Sequence, residues 1–297
     1  MDFVSALDAK PKTRQTMKKT IIAGAAAVAL AAPAYAELEG DISVTYNSQY
    51  GFRGLSDALD ELYTFANSVT PIVGDNTQDT YEANLNLAWK LNDSWSIVGG
   101  GNVHTVSDAD MDHNRHHLGI RYTNECYTIE LGWQHHDIRT GISDLVLPGF
   151  GDWNTQEIYA RISTQCPLTG GNVTLFAAHD FDTLDGTYVE LSLNKAWEIC
   201  ERCKVDVTAG VSYSFGYWDE FLQGPLVPNG FDTGSDWNNA YLNVAYVIQA
   251  TENLTIAPYV RYSTGFDALD AGASAGPLSG IEEDDEVIFG VNASVKF

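Results

Sequence analysis

The last eleven residues, Val287-Ile288-Phe289-Gly290-Val291-Asn292-Ala293-Ser294-Val295-Lys296-Phe297, place an apolar side chain at every second position up to the terminal one. A β-strand sends successive side chains to opposite faces. Val287, Phe289, Val291, Ala293, Val295 and Phe297 therefore share one face, and Ile288, Gly290, Asn292, Ser294 and Lys296 share the other. One face suits lipid and the other a wet lumen. No helix keeps this pattern on one side, so the period excludes a helical ending.

Segments of the same period recur near 40–54, 78–91, 95–106, 114–124, 126–137, 155–165, 172–181, 187–198, 204–217, 237–249, 254–265 and 285–297. Twelve strands, an even number, predict an all-β fold: a transmembrane antiparallel up-and-down β-barrel of the bacterial outer membrane, with Phe297 as its insertion signal. The connections alternate between tight turns, such as Asn92-Asp93, Asn124-Glu125 and Thr251-Glu252-Asn253, and mostly longer loops at 55–77, 107–113, 138–154, 182–186, 218–236 and 266–284. Short turns belong to the periplasmic end and long loops to the outer end. Trp89, Trp95, Tyr122, Tyr127, Trp197, Tyr246 and Phe297 fall near the turns, and Tyr50, Phe52, Tyr213, Phe215, Tyr217 and Tyr262 near the loops. Two aromatic girdles about 25 Å apart are expected of a membrane barrel; a soluble secreted β-sandwich, the competing fold, has no need of them.

The start of the chain fits export. Met17-Lys18-Lys19-Thr20, an apolar run over Ile21–Ala32 and Ala34-Tyr35-Ala36 before Glu37 have the layout of a cleavable signal peptide. The expected organisation is 1–16 as a misassigned start or disordered extension, 17–36 as signal peptide and 37–297 as barrel. The first 36 residues hold five of the 16 basic and two of the 40 acidic residues, leaving 11 against 38 and a net charge of about −27. So acidic a chain excludes nucleic acid as a partner. The expected partners are outer-membrane lipid and lipopolysaccharide, the barrel-assembly machinery, and divalent cations drawn to the acidic loops. The run Glu282-Glu283-Asp284-Asp285-Glu286 lacks the spacing of a calcium loop and reads first as solvated charge.

Parity places Arg53, Lys90, Arg121, Arg161, Arg261 and Lys296 inward with Asp41, Glu82, Glu130, Glu157, Glu190 and Asp206. The signs are nearly balanced, without the basic stripe expected of a pore for anionic sugars; the charges either pair and fill the interior or act as a selectivity filter. Ser43, Gly119, Gly132, Gly210, Gly290 and Ser294, small and inward, argue for open space. All seven histidines lie between 104 and 179, and His104, His117 and His136 are expected to point inward, with His104 facing His117 across a hairpin; such a trio beside acidic residues is a candidate transition-metal site. All four cysteines fall at turns in an oxidising compartment. A bridge between Cys126 and Cys166 and another between Cys200 and Cys203 is the reading favoured by neighbourhood; other connectivities, and a redox role for the Cys-x-x-Cys, stay open.

Leu59, Leu62, Tyr63 and Ala66 recur at helical spacing before Pro71, so the first loop is expected to hold a short helix that caps the lumen or lies on its rim. Loops three and five echo one another in Leu145–Asn154 and Leu226–Asn238. No motif implies a cofactor. No His-x-Ser pair suits a phospholipase-like barrel, and Asp108, Asp110 and Asp112 with His136 resemble an omptin-like protease only loosely, from a loop, so no enzyme is expected.

The stretch Tyr46-Asn47-Ser48-Gln49-Tyr50-Gly51-Phe52-Arg53-Gly54-Leu55-Ser56 resembles the opening strand of the TorF-like family of outer-membrane barrels, though the helical segment at 59–69 stands where that family has a proline-containing stretch. The resemblance implies a barrel with a transport role and assigns no catalytic residue. The function expected is a passive, porin-like channel for small hydrophilic solutes with weak cation preference; the alternatives are a closed barrel acting through its surface loops and, third, an envelope enzyme.

Overall fold

The computed structural model describes residues 38–53, 78–107, 111–139, 152–219, 234–266, 268 and 285–297. The signal segment, the helical stretch of the first loop, the echoing parts of loops three and five up to 151 and 233, and Glu282 to Asp284 lie outside them. The described residues form β1 (Leu38–Gln49), β2 (Gln78–Lys90), β3 (Trp95–Val106), β4 (Met111–Thr123), β5 (Tyr127–Arg139), β6 (Trp153–Gln165), β7 (Asn172–Asp180), β8 (Thr187–Cys200), β9 (Cys203–Phe215), β10 (Ser235–Gln249), β11 (Leu254–Gly265) and β12 (Glu286–Lys296). Each pairs antiparallel with its neighbours in sequence, and β1 pairs with β12, so the sheet is a closed barrel.

The seam runs from Asp41↔Lys296 to Asn47↔Gly290. Reciprocal backbone hydrogen bonds of 3.0 Å between Gly40 and Phe297 extend it by one residue. A Cβ at Gly40 would lie 2.8 Å from Phe297 Cζ, so the bare glycine makes room for the terminal ring. The tight turns gather with both ends of the barrel chain. In two of them an asparagine supplies the turn: Asn92 Oδ1 accepts the amides of Ser94 and Trp95, and Asn124 Oδ1 those of Cys126 and Tyr127.

The two faces follow the alternation. Ser43, Thr45 and Asn47 are buried in the lumen while Val44 and Tyr46 face outward. Leu131, Ile158, Leu191 and Phe289 are about half exposed on the outer surface, in a band that suits hydrocarbon. Trp89, Trp95, Tyr127, Trp197 and Tyr246 ring it at the turn end, and Phe215, Trp237 and Tyr262 at the loop end. Tyr50, Phe52 and Tyr217 do not join the outer girdle as expected. β1 ends at Gln49 rather than 54, parity lapses where the chain leaves the sheet, and Tyr50 and Tyr217 are almost wholly buried inside.

The inward glycines do not hold space open. Gly132, Gly210 and Gly290 pair directly across strands with Tyr159, Tyr241 and Tyr259. A Cβ at any of the three would come within 2.6 Å of the tyrosine ring opposite, so each glycine is the seat of a tyrosine that leans over it.

Cys200 and Cys203 form the expected disulfide across the β8–β9 turn, with Cα atoms 4.8 Å apart. Cys126 and Cys166 are free thiols, against the expected bridge. Their strands are neighbours, but the register is offset: β5 and β6 end on Tyr127↔Thr164, which puts Cys126 opposite Gln165 and leaves Cys166 one residue further on, on the other face.

Leu131→Arg, which sets a charge between Ile120 and Ala160 on the outer surface, should destabilise the barrel by about 2–4 kcal/mol if it lies near mid-bilayer, read as an earlier urea midpoint in lipid vesicles. The folded, unreduced protein should take up two maleimides, and four after reduction and unfolding. Hydrogen bonds from Thr169 hold the Cys166 thiol below its ordinary pKa, so its labelling should reach half its maximal rate at a pH below that of a free cysteine.

Candidate functional site

At the outer end of β1 the chain turns into the lumen. Arg53 follows Tyr50 and Phe52 with a left-handed backbone, φ 53°, a conformation that costs a side-chain-bearing residue roughly 1–3 kcal/mol and persists only when its surroundings hold it. They do. The Arg53 guanidinium makes two hydrogen bonds, of 2.6 and 2.8 Å, to the carboxylate of Glu157 on β6. It also lies 4.6 Å from the ring centre of Tyr188 and 4.5 Å from that of Tyr217. The Arg53 carbonyl accepts a 2.6 Å hydrogen bond from Asn238 Nδ2, and Asn238 Oδ1 in turn accepts the Trp218 indole N–H at 2.5 Å. Phe52 packs edge-on against His113 and Trp218. β1 and β6 stand five places apart around the ring, so this cluster bolts one wall to another across the outer mouth.

A buried ion pair repays its desolvation only when every remaining lone pair is satisfied. Glu157 is 0% exposed and also accepts hydrogen bonds from Tyr217 Oη, at 2.5 Å, and from Gln134. Burial works against the charge on Arg53, but the facing carboxylate outweighs it and holds its pKa above the ordinary value. Burial pushes the Tyr217 phenol well above its usual range. A second chain of contacts reaches the same carboxylate. Tyr50 Oη lies 2.9 Å from His113 Nδ1, His113 Nε2 lies 2.9 Å from His136 Nδ1, and His136 Nε2 lies 3.4 Å from Glu157 Oε2.

Beneath this seal lies a cavity of about 280 Å³ bounded by Gly51, Phe52, Glu82, His104, Arg115 and Arg261 among others. A second, of about 550 Å³, continues toward the turn end past His117, Arg121, Glu130, Arg161 and Lys296. Arg115 lines both.

Most of the inward charges expected from parity take specific partners. Arg121 pairs with Glu130 at 2.7 Å, Arg161 approaches it at 3.9 Å, and Tyr159 donates to it at 2.9 Å. Glu190 accepts from Tyr188 and Tyr241, each at 2.9 Å, and Arg261 stacks on Tyr241 at 4.2 Å. Glu82 accepts from Asn102, Asp206 from Asn194 and Asp41 from Asn86. Lys90 pairs with Glu39 at the exposed turn end.

The histidines are arranged differently from the expectation. β3 pairs with β4 in the register His104↔His113, and His117 stands opposite Gly100. The connecting turn spans only 107–110, shorter than the 107–113 expected, which moves the hairpin's centre and exchanges His117 for His113. His104, His117 and His136 therefore do not converge, and among the described residues no three His, Cys, Asp or Glu side chains gather as a metal ion would require. Sequence reasoning missed His113 and Arg115, although both carry the same parity on β4 as His117 and Arg121. The inward turn at Tyr50 had no signal of its own.

A closed twelve-stranded barrel with an apolar outer band, aromatic rims and a polar interior belongs to the outer-membrane class of β-barrels. No family model matches the chain, and no curated protein does. Among solved structures it is similar to the KdgM porin, at 10% identity and a TM-score of 0.46 over 86% of this chain and 99% of that one. It is similar to the NanC porin at 11% identity and a TM-score of 0.45, over 87% and 100%, and to LpxR from Salmonella typhimurium at 9% and 0.45, over 86% and 100%. Likenesses this distant assign neither a substrate nor an activity to the chain.

Glu157→Gln leaves Arg53 buried without its counter-charge and should cost about 3–5 kcal/mol, measured as urea-induced unfolding of the refolded barrel. Combining it with Arg53→Gln should restore part of that loss, because the uncompensated charge is then gone.

Proposed function

We propose that the barrel is a passive channel for small hydrophilic solutes, narrowed at its outer mouth by the segment Tyr50 to Arg53. The observation that carries this reading is the pair of polar cavities that share Arg115 and run from beneath the seal toward the turn end. The finer expectation of a weak cation preference rests on the acidic outer loops, which concentrate cations at the mouth. The resemblance to the TorF-like family agrees with a transport role, and the motif that carries it includes the very residues that enter the lumen. Lipopolysaccharide and divalent cations at the acidic rim, and the assembly machinery at Phe297, are the partners this reading implies. The second reading, a closed barrel acting through its loops, is favoured by the completeness of the Arg53–Glu157 seal.

Planar-bilayer conductance decides between them. Discrete steps from the wild type, enlarged in Glu157→Gln, are the expected result, and the reversal potential in a salt gradient should show cations passing preferentially. Silence from both proteins in a folded, heat-modifiable state would overturn the channel reading in favour of the closed barrel.

A further inference from the structure

The cavity under the seal is lined by two guanidiniums whose hydrogen-bonding capacity the protein does not use. Arg115, on β4, makes no hydrogen bond and no ion pair with any described residue, although it stands inside the lumen where both cavities meet. Arg261, on β11, rests on the Tyr241 ring, and its buried Nε has no hydrogen-bond partner. His104 adds a third open position: it is 7% exposed and its Nε2 is also unpartnered. Against these stands one carboxylate, Glu82, whose Oε1 accepts from Asn102. The lining thus carries one net positive charge with neutral histidines. Buried donors left unpaired are costly, and a protein that satisfies Glu157 from three side chains has left these open in the adjoining space.

We infer that this cavity is a binding site for a small monocarboxylate that also carries a hydrogen-bond donor, a hydroxy or amino acid in size and chemistry. A carboxylate matches the fork of a guanidinium and neutralises the single excess charge. A dication would meet two arginines, and a neutral sugar would leave both charges uncompensated. The donor on the ligand answers the Glu82 carboxylate, which accepts. A volume of about 280 Å³ falls just below the range of drug-sized ligand sites, roughly 300 to 1,000 Å³, and suits a smaller molecule. Seal residues Gly51 and Phe52 roof the site, so entry is from the turn end past Arg115.

The inference goes beyond the channel reading: it concerns the lining of the lumen, apart from the cation preference expected of the outer loops, and it does not need conduction, since a closed barrel would still bind from its turn end. Isothermal titration of the refolded full chain in detergent at pH 7 tests it, with lactate, propionate, which lacks the hydroxyl, and lactamide, which lacks the charge. The expected order of affinity is lactate, propionate, lactamide, with at least tenfold between the first and the last. Arg115→Gln should lower lactate affinity at least tenfold and leave the urea midpoint nearly unchanged, because it breaks no hydrogen bond or ion pair among the described residues. Arg261→Gln serves as a second variant should the first fold poorly, and is expected to act in the same direction. Equal affinities for lactate and lactamide, no detectable binding, or undiminished lactate binding by a folded variant would overturn the inference, whatever the bilayer recordings show.

Discussion

Hydrocarbon offers no hydrogen bonds, so a chain that crosses it as strands must return to its own beginning. That constraint explains the seam. β12 pairs with β1 from Asp41↔Lys296 onward, and the terminal residue is tied in by both its backbone groups at Gly40. Once the ring is closed, every side chain is committed to one of two surroundings. The outer one is filled with Leu, Ile, Val and Phe, bounded by aromatic residues whose polar tips reach water. All the chemistry is left for the inner one.

Twelve strands enclose more width than short polar side chains can fill, and the protein occupies it with two devices. One is repeated: a tyrosine leans over a glycine directly opposite it on the adjoining strand, at Gly132, Gly210 and Gly290, and carries its hydroxyl to Glu130, Glu190 or Asn47. The other is single: the chain itself enters at Tyr50 and is fixed by Arg53 to the opposite wall. The repeated device lines the tube. The single one closes its outer mouth, and it sets there a buried ion pair held by two hydrogen bonds.

The strands were legible because a period of two, sustained through twelve segments, has few other solutions. Most bounds agree with the structure to within two or three residues, and the lipid face of β1 and β12 reads directly from the alternation. Parity failed where the backbone left the sheet, at Tyr50 and Tyr217, since the rule describes strands and says nothing of turns. The histidine pairing failed for a related reason. Which residues face each other in a hairpin depends on the centre of its turn, and a loop shorter by three residues brought His113 to His104. The Arg53–Glu157 pair joins residues 104 positions apart, so only the closed ring, with its actual register, brings them together. Arg115 was within reach of the same parity argument that found Arg121, six positions on.

The contacts from Tyr50 through His113 and His136 have a direction. Each imidazole between two partners holds one proton on one ring nitrogen, and the short His113–His136 contact accommodates a single proton between the two rings. The ionised Glu157 carboxylate, 3.4 Å from His136 Nε2, favours a proton on that nitrogen; His136 Nδ1 then accepts from His113, and Tyr50 donates to His113 in turn. Three side chains thereby share one sense of donation, ending at the carboxylate that also holds Arg53. Reversing any one of them requires reversing those that follow, so the roof of the lumen behaves as a single polarised unit rather than as a set of separate bonds.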